Sequence, residues 1–196
     1  VPLLGIHTHR GIGDVTDSAV SSVVEQMEGM VPALERISGR GFDAGALRKV
    51  LSLSRECSDL WKRVLDTAAT VPSPLSFFDG TVHMGPAVVL RGTQAAVDYY
   101  KVLLAELEQR VADRVGAVEG ERFRLYWDGM PVWGRLRAHS DAFAEMGACV
   151  VASTYCNSWI FSSFDTADPF ASMARAYTEL FIARSESAKE EYLKRN

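Results

Sequence analysis

Arg122-Phe123-Arg124-Leu125-Tyr126-Trp127 and Ala148-Cys149-Val150-Val151-Ala152-Ser153 decide the fold class. The first run is short and rich in aromatic and aliphatic residues, the composition of a strand. The second is apolar throughout, as expected where both faces of a strand are covered. Between them Trp133–Met146 has a helix-like pattern, and Gly147 suits its end. Strand, helix, strand within about 30 residues is a βαβ unit, which implies parallel strands and a right-handed crossover.

Upstream, the chain reads as helical. Thr16 or Asp17 can cap a helix whose apolar stripe is Val20, Val23, Met27, Met30, Leu34 and Ile37. Pro32 is expected to kink or restart that helix, and Ser38-Gly39-Arg40-Gly41 to stop it. A second helix is expected from Asp43, with Leu47, Val50, Ser54, Cys57, Trp61 and Val64 near one stripe. Pro72-Ser73-Pro74 breaks the chain, and Leu75–Gly92 shows no period, so a long loop is expected there. A third helix follows Thr93, its buried face Val97, Tyr100, Leu104, Leu107, Val111 and Val115. Downstream of the βαβ unit, Asp168-Pro169 forms an N-cap and first-turn pair. The helix it opens is expected to run to the chain end, with Phe170, Met173, Tyr177 and Phe181 facing inward. The fold class is therefore α/β and helix-rich: a long helical connector followed by a βαβ unit of a Rossmann-like parallel sheet. Residues 1–117 form the helical connector with a preceding strand end, and 118–196 a partial Rossmann-like α/β domain.

Of the 196 residues, 47% are apolar and 23% charged, which argues against disorder over most of the chain. A net charge of -4 argues against a nucleic-acid-binding surface covering the whole molecule. No apolar run approaches the roughly 18 residues of a membrane span, and nothing reads as a secretory leader. Three cysteines, Cys57, Cys149 and Cys156, make neither a disulfide framework nor a CxxC motif, so a reducing cytoplasm is expected. The abrupt start at Val1 and the helical end at Asn196 read as cuts through a longer protein.

Parallel strands place their C-terminal ends at one sheet edge, where open α/β sheets bind ligands. The two loops there are Asp128-Gly129-Met130-Pro131-Val132-Trp133 and Thr154-Tyr155-Cys156-Asn157-Ser158-Trp159. With Ser153 at the strand end, the candidate pocket residues are Asp128, Gly129, Pro131, Trp133, Ser153, Tyr155, Asn157 and Trp159. Taken singly, Trp133 and Trp159 can instead cover the sheet edge and Cys156 can be a small buried filler, and Asp128 can equally cap the following helix. Cys57 and Cys149 fall on apolar stripes and read as core. Cys156 alone lies in a loop at the ligand edge, as a candidate metal ligand or reactive thiol. His7-Thr8-His9 could share a metal on one strand face, as in a metal hydrolase, but only His83 and His139 remain as further histidines. Gly11-Ile12-Gly13 lacks the third glycine of a dinucleotide site, and neither a Walker A motif nor a Gly-x-Ser-x-Gly elbow is present.

The run Arg124–Trp133 followed by Cys149–Trp159 resembles the central region of the benzoyl-CoA reductase and 2-hydroxyacyl-CoA dehydratase family. Within it the likeness is to the larger of the two catalytic-type subunits of the ATP-dependent reductases. Asp168-Pro169-Phe170 and Ala176–Phe181 continue the likeness, and Leu34–Gly41 resembles the family's helical connector. It is specific around residues 122–184 and covers about the middle half of a family subunit. The resemblance implies a CoA thioester bound beside a 4Fe–4S cluster, a sister subunit of the same family, and an ATP-hydrolysing iron–sulfur activator that injects single low-potential electrons. The thioester carbonyl accepts them, giving a ketyl-type radical. Reductases then reduce the aromatic ring, and dehydratases expel a β-hydrogen and the hydroxyl. It also implies that the cluster cysteines lie outside this stretch, so the isolated chain is expected to lack redox activity. Two other readings remain: a subunit-docking module without its own active site, and the histidine-based hydrolase. Neither nucleic acid nor membrane is an expected partner.

Overall fold

The computed structural model describes residues 3–8, 15–161, 164–180 and 186–195. By contacts the chain forms two compact units, one of Val1–Ser52 with Ser162–Asn196 and one of Leu53–Phe161.

The first unit is helical. Helix α1 spans Asp17–Ser38; Thr16 caps it, its hydroxyl accepting from the Ala19 N–H at 3.2 Å. Gly39 takes φ 68° and donates its N–H to the Glu35 carbonyl, the left-handed stop that favours glycine. The helix passes through Pro32 without a break, so the expected restart does not occur. Val20 and Val23 are buried, whereas Leu34 and Ile37, on the same stripe, are exposed. Helix α2, Ala44–Asp66, opens at Asp43, whose carboxylate accepts the Gly45 and Ala46 amides at 2.7 and 3.0 Å. The division between the units falls within it.

Among the described residues, the second unit holds the larger buried apolar cluster. Trp61, Val64, Val97 and Tyr100 are fully buried in it, with Phe77, Phe78, Met84, Leu104 and Val150. Leu75–Gly92 is not the expected loop: it contains helices α3, Phe77–His83, and α4, Gly85–Val89. Both are too short to display a helical period. The legible signal is the Ser76-x-x-Asp79 capping box, in which each side chain accepts the other's backbone N–H. Helix α5 spans Gln94–Asp113 and is capped by Thr93. Its buried face is Ala96, Val97, Tyr100, Leu103, Leu104 and Leu107. Arg114 ends it in a left-handed conformation, which leaves Val115 beyond the helix and 48% exposed, contrary to expectation.

Strand β1, Phe123–Trp127, pairs in parallel with β2, Ala148–Ser153, with an irregularity between Leu125 and Tyr126. Helix α6, Leu136–Glu145, connects them after a 3-10 turn over Trp133–Arg135, and Gly147, at φ 67°, returns the chain to β2. The β2 residues Ala148, Cys149 and Val150 are buried, whereas β1 is exposed along most of its length. Trp127 at its end stacks on Phe77, centroids 5.1 Å apart, and meets Phe78 and Phe143 edge-on. A short helix α7, Thr154–Asn157, follows β2 directly.

Helix α8, Pro169–Thr178, belongs to the first unit and packs against α1. Asp168 caps it as expected, accepting the Ala171 amide at 3.1 Å. It ends at Thr178 rather than continuing; a separate helix α9 spans Glu186–Arg195. Its buried face is Ser172, Ala174, Ala176 and Thr178, small residues that permit close approach, whereas Tyr177 is exposed. Phe181, expected on the inner face, lies outside the described residues. Among the described residues no helix is long and apolar enough to cross a membrane.

Candidate functional site

The parallel register brings Trp127 level with Ser153, so the loops after β1 and β2 leave the sheet side by side. A single hydroxyl joins them. Thr154 Oγ1 donates to Asp128 Oδ1 at 2.9 Å and accepts from the Gly129 N–H at 3.0 Å. Gly129 takes φ 88°, a conformation that strains any residue with a Cβ, so glycine is required at this turn. Asp128 therefore holds the neighbouring loop and does not cap α6, whose N-cap residue is Arg135. Pro131 is buried, and the Trp127 indole N–H donates to the Met130 carbonyl at 3.3 Å.

Of the expected pocket residues, Trp133 and Tyr155 meet edge to face, their ring centroids 6.2 Å apart. Trp133 is 49% exposed, so this aromatic pair forms an open wall. Beside it, Arg135 and Arg137 flank a shallow depression of about 560 Å³. Ser153 is buried and caps α7, its hydroxyl accepting the Cys156 amide at 3.1 Å. Asn157 and Trp159 are half-buried on the same segment.

Cys156 is buried at 2% exposure, its sulfur 4.0 Å from the Thr81 hydroxyl. Burial pushes its thiol above the usual range, against opposing hydrogen bonds from Ser153 and Thr81. Burial likewise raises Cys57, and it pushes Cys149 up to about 11, helped by the nearby Glu121 charge. All three cysteines are free and buried, which suits core packing and disfavours the thiolate that binds metal. Among the described residues no three His, Cys, Asp or Glu side chains come together as a metal site. His9 lies outside the described residues, and the His7 backbone is held by the Gln26 side chain. His83 faces the Tyr99 hydroxyl at 2.7 Å, and His139 lies on α6 beside Trp127.

The groups that hold these loops in place carry little local sequence signal, Thr154 among them. Ser58, Trp61 and Arg91 are bonded to the segment after β2 from 68 to 103 residues away, a separation that leaves no local pattern.

The family model of the 2-hydroxyglutaryl-CoA dehydratase D-component matches residues 1–196. A benzoyl-CoA reductase subunit of Thauera aromatica is 37% identical over 156 residues, 75% of this chain and 36% of that protein. The (R)-2-hydroxyisocaproyl-CoA dehydratase alpha subunit of Clostridioides difficile is 29% identical over 184 residues, 92% of this chain and 45% of that protein. The (R)-phenyllactyl-CoA dehydratase alpha subunit of Clostridium sporogenes is 32% identical over 146 residues, 74% and 36%. The chain thus spans less than half the length of these relatives. The resemblance read from residues 122–184 is correct: this chain belongs to the 2-hydroxyglutaryl-CoA dehydratase D-component family, together with benzoyl-CoA reductase and 2-hydroxyacyl-CoA dehydratase subunits.

Proposed function

We propose that this chain forms part of an iron–sulfur acyl-CoA reductase or dehydratase subunit and supplies one wall of the pocket for a CoA thioester such as benzoyl-CoA. The observation that carries the reading is the Asp128–Thr154–Gly129 bracket, which holds two aromatic loops side by side at the C-terminal ends of parallel strands. Open α/β sheets bind ligands at that edge. The names of the relatives, all acyl-CoA reductase or dehydratase subunits, support the substrate class.

In the longer subunit, residues 118–196 are assigned to a Rossmann-like domain and 1–117 to a helical connector with a preceding strand end, a division by sequence that differs from the contact units, in which α8 packs on α1 and Leu53–Phe161 gathers about the sheet. Trp133 and Tyr155 present apolar ring surface to the acyl group and keep water from it. Asn157 and Trp159 line the same wall.

The residues present do not fit the expected 4Fe–4S cluster. Cys57, Cys149 and Cys156 are free and buried, join no cluster of three metal-ligating side chains among the described residues, and have thiols raised toward the protonated form. We therefore assign the cluster ligands to parts of the subunit outside this stretch. In this reading a sister subunit of the same family and an ATP-hydrolysing iron–sulfur activator complete the enzyme.

One observation favours docking as a second role. In the first unit an apolar groove of about 510 Å³ is lined by Met27, Met30, Leu34, Phe42, Phe170 and Met173. Flexible methionine side chains suit protein contacts.

The test replaces Trp133 and Tyr155 with Ala in the full-length subunit. Benzoyl-CoA affinity and turnover with activator and ATP are then measured. Weaker binding is expected from both variants. Unchanged affinity and turnover would remove the pocket assignment and leave the docking role.

A further inference from the structure

We propose that Arg91 is a positioning residue for the loop that carries Tyr155, Asn157 and Trp159; this rests on the pocket reading above. Helix α7 has four residues, too few to hold itself in place. The backbone after β2 is instead fastened to side chains from distant parts of the chain. The Trp61 indole N–H donates to the Cys156 carbonyl at 3.1 Å. The Phe161 N–H donates to the Ser58 hydroxyl at 3.3 Å. Between these two anchors, Arg91 Nη2 donates to the Trp159 carbonyl at 2.6 Å.

Arg91 sits in the turn between α4 and α5, and every edge of its guanidinium is used. Nε donates to the Ala87 carbonyl at 3.0 Å, and Nη1 to the Ser58 hydroxyl and the Ser54 carbonyl. Its carbon lies 4.5 Å above the Phe161 ring. One planar cation thus joins α2, α4 and the loop. A lysine has the charge but not the fixed fork, and it cannot hold these partners at once. Ser58 is fully buried and accepts from both Arg91 and Phe161, so the arginine also sets the acceptor that holds Phe161. The Trp159 carbonyl and ring belong to one residue, so moving one moves the other. Tyr155 lies one residue from the Trp61 anchor and meets Trp133 edge to face.

The test uses the full-length subunit with Arg91→Lys and Arg91→Met, with Tyr155→Ala as the reference for the pocket. Three quantities are measured: benzoyl-CoA affinity by titration, melting temperature, and amide hydrogen exchange of peptides covering residues 154–161. The expected result is about tenfold weaker binding in both Arg91 variants, faster exchange confined to that segment, and folding retained at least in Arg91→Lys. Unchanged affinity in a folded Arg91 variant overturns the proposal, provided that Tyr155→Ala weakens binding. If Tyr155→Ala also binds normally, the pocket reading fails, and the positioning role with it. If neither Arg91 variant folds, the arginine is purely structural and the proposal is wrong.

Discussion

Replacing Thr154 with Val removes the bracket between the two loops while preserving the branched shape of the side chain. The residue is 3% exposed, and its hydroxyl makes two bonds, one from the Gly129 amide and one to the Asp128 carboxylate. A neutral hydrogen bond contributes about 1 kcal/mol net, and one to a charged group about 1.5–3 kcal/mol. Asp128 is exposed, so water replaces much of the second, and its share falls to about 1 kcal/mol. Burying a methyl where a hydroxyl stood returns up to about 0.8 kcal/mol. The net loss is therefore about 1–2 kcal/mol. If the bracket acts by pre-organising the pocket wall, ligand affinity cannot fall by more than that energy, or about thirtyfold. Titrating benzoyl-CoA into the full-length subunit carrying Thr154→Val, Asp128→Ala and both together gives a double-mutant cycle. The expected pattern is a severalfold loss in each single variant, with the double variant little worse than Thr154→Val alone. Strict additivity, or no loss in any variant, refutes the bracket as the device that aligns the loops. A hundredfold loss in Thr154→Val refutes it in the other direction, because the hydroxyl must then touch the ligand itself.

Four further outcomes test the surrounding structure. Tyr100→Phe leaves the Ala87 N–H and the His83 carbonyl without the hydroxyl that joins them at 2.9 Å each, and should cost about 2–4 kcal/mol by denaturant titration. Gly116→Ala would place a Cβ 2.8 Å from Pro72 Cβ and 3.2 Å from the Val118 carbonyl, so a loss of about 1–3 kcal/mol is expected by the same measurement. Cys57, Cys149 and Cys156 should resist alkylation in the folded protein and react after denaturation, as read by peptide mass spectrometry. The Cys149 thiol also sets a pH dependence. The unfolded thiol ionises near 9 while the folded one holds its proton to about 11, so the native state binds more protons between those values. Stability should fall as pH rises from about 9 to 11, and Cys149→Ala should flatten that part of the curve.

The elements with a long period were legible. Helices α1, α2 and α5 start at Thr16, Asp43 and Thr93, each a residue whose side chain accepts a first-turn amide. The parallel strand pair followed from two apolar runs separated by a helix-length connection. What escaped is short or depends on contacts made far along the chain. Helices α3 and α4 have seven and five residues, and α4 begins from Met84 without a side-chain cap. Val115 continues the α5 stripe in the sequence, but Arg114 turns left-handed before it, and an arginine gives no advance sign of doing so. Of the two outcomes expected at Pro32 the restart does not occur, because the proline lies within one continuous helix.

At the candidate site, chemistry-bearing residues were easier to find than their roles. Two aromatic-rich loops after parallel strands mark an edge where a ligand can sit, and Trp133 and Tyr155 do meet there. Which residue holds which loop is a matter of side-chain reach. Asp128 could have capped α6, and only the fold shows its carboxylate bonded across to Thr154. Cys156 is the one cysteine in a loop at the ligand edge, and hence the candidate ligand or reactive thiol, yet it is buried, its sulfur 4.0 Å from the Thr81 hydroxyl. The carbonyl of the same residue accepts the Trp61 indole N–H at 3.1 Å, which fastens the loop. A thiol in that place serves packing, and the loop's ring-bearing residues remain the surface that a thioester could meet.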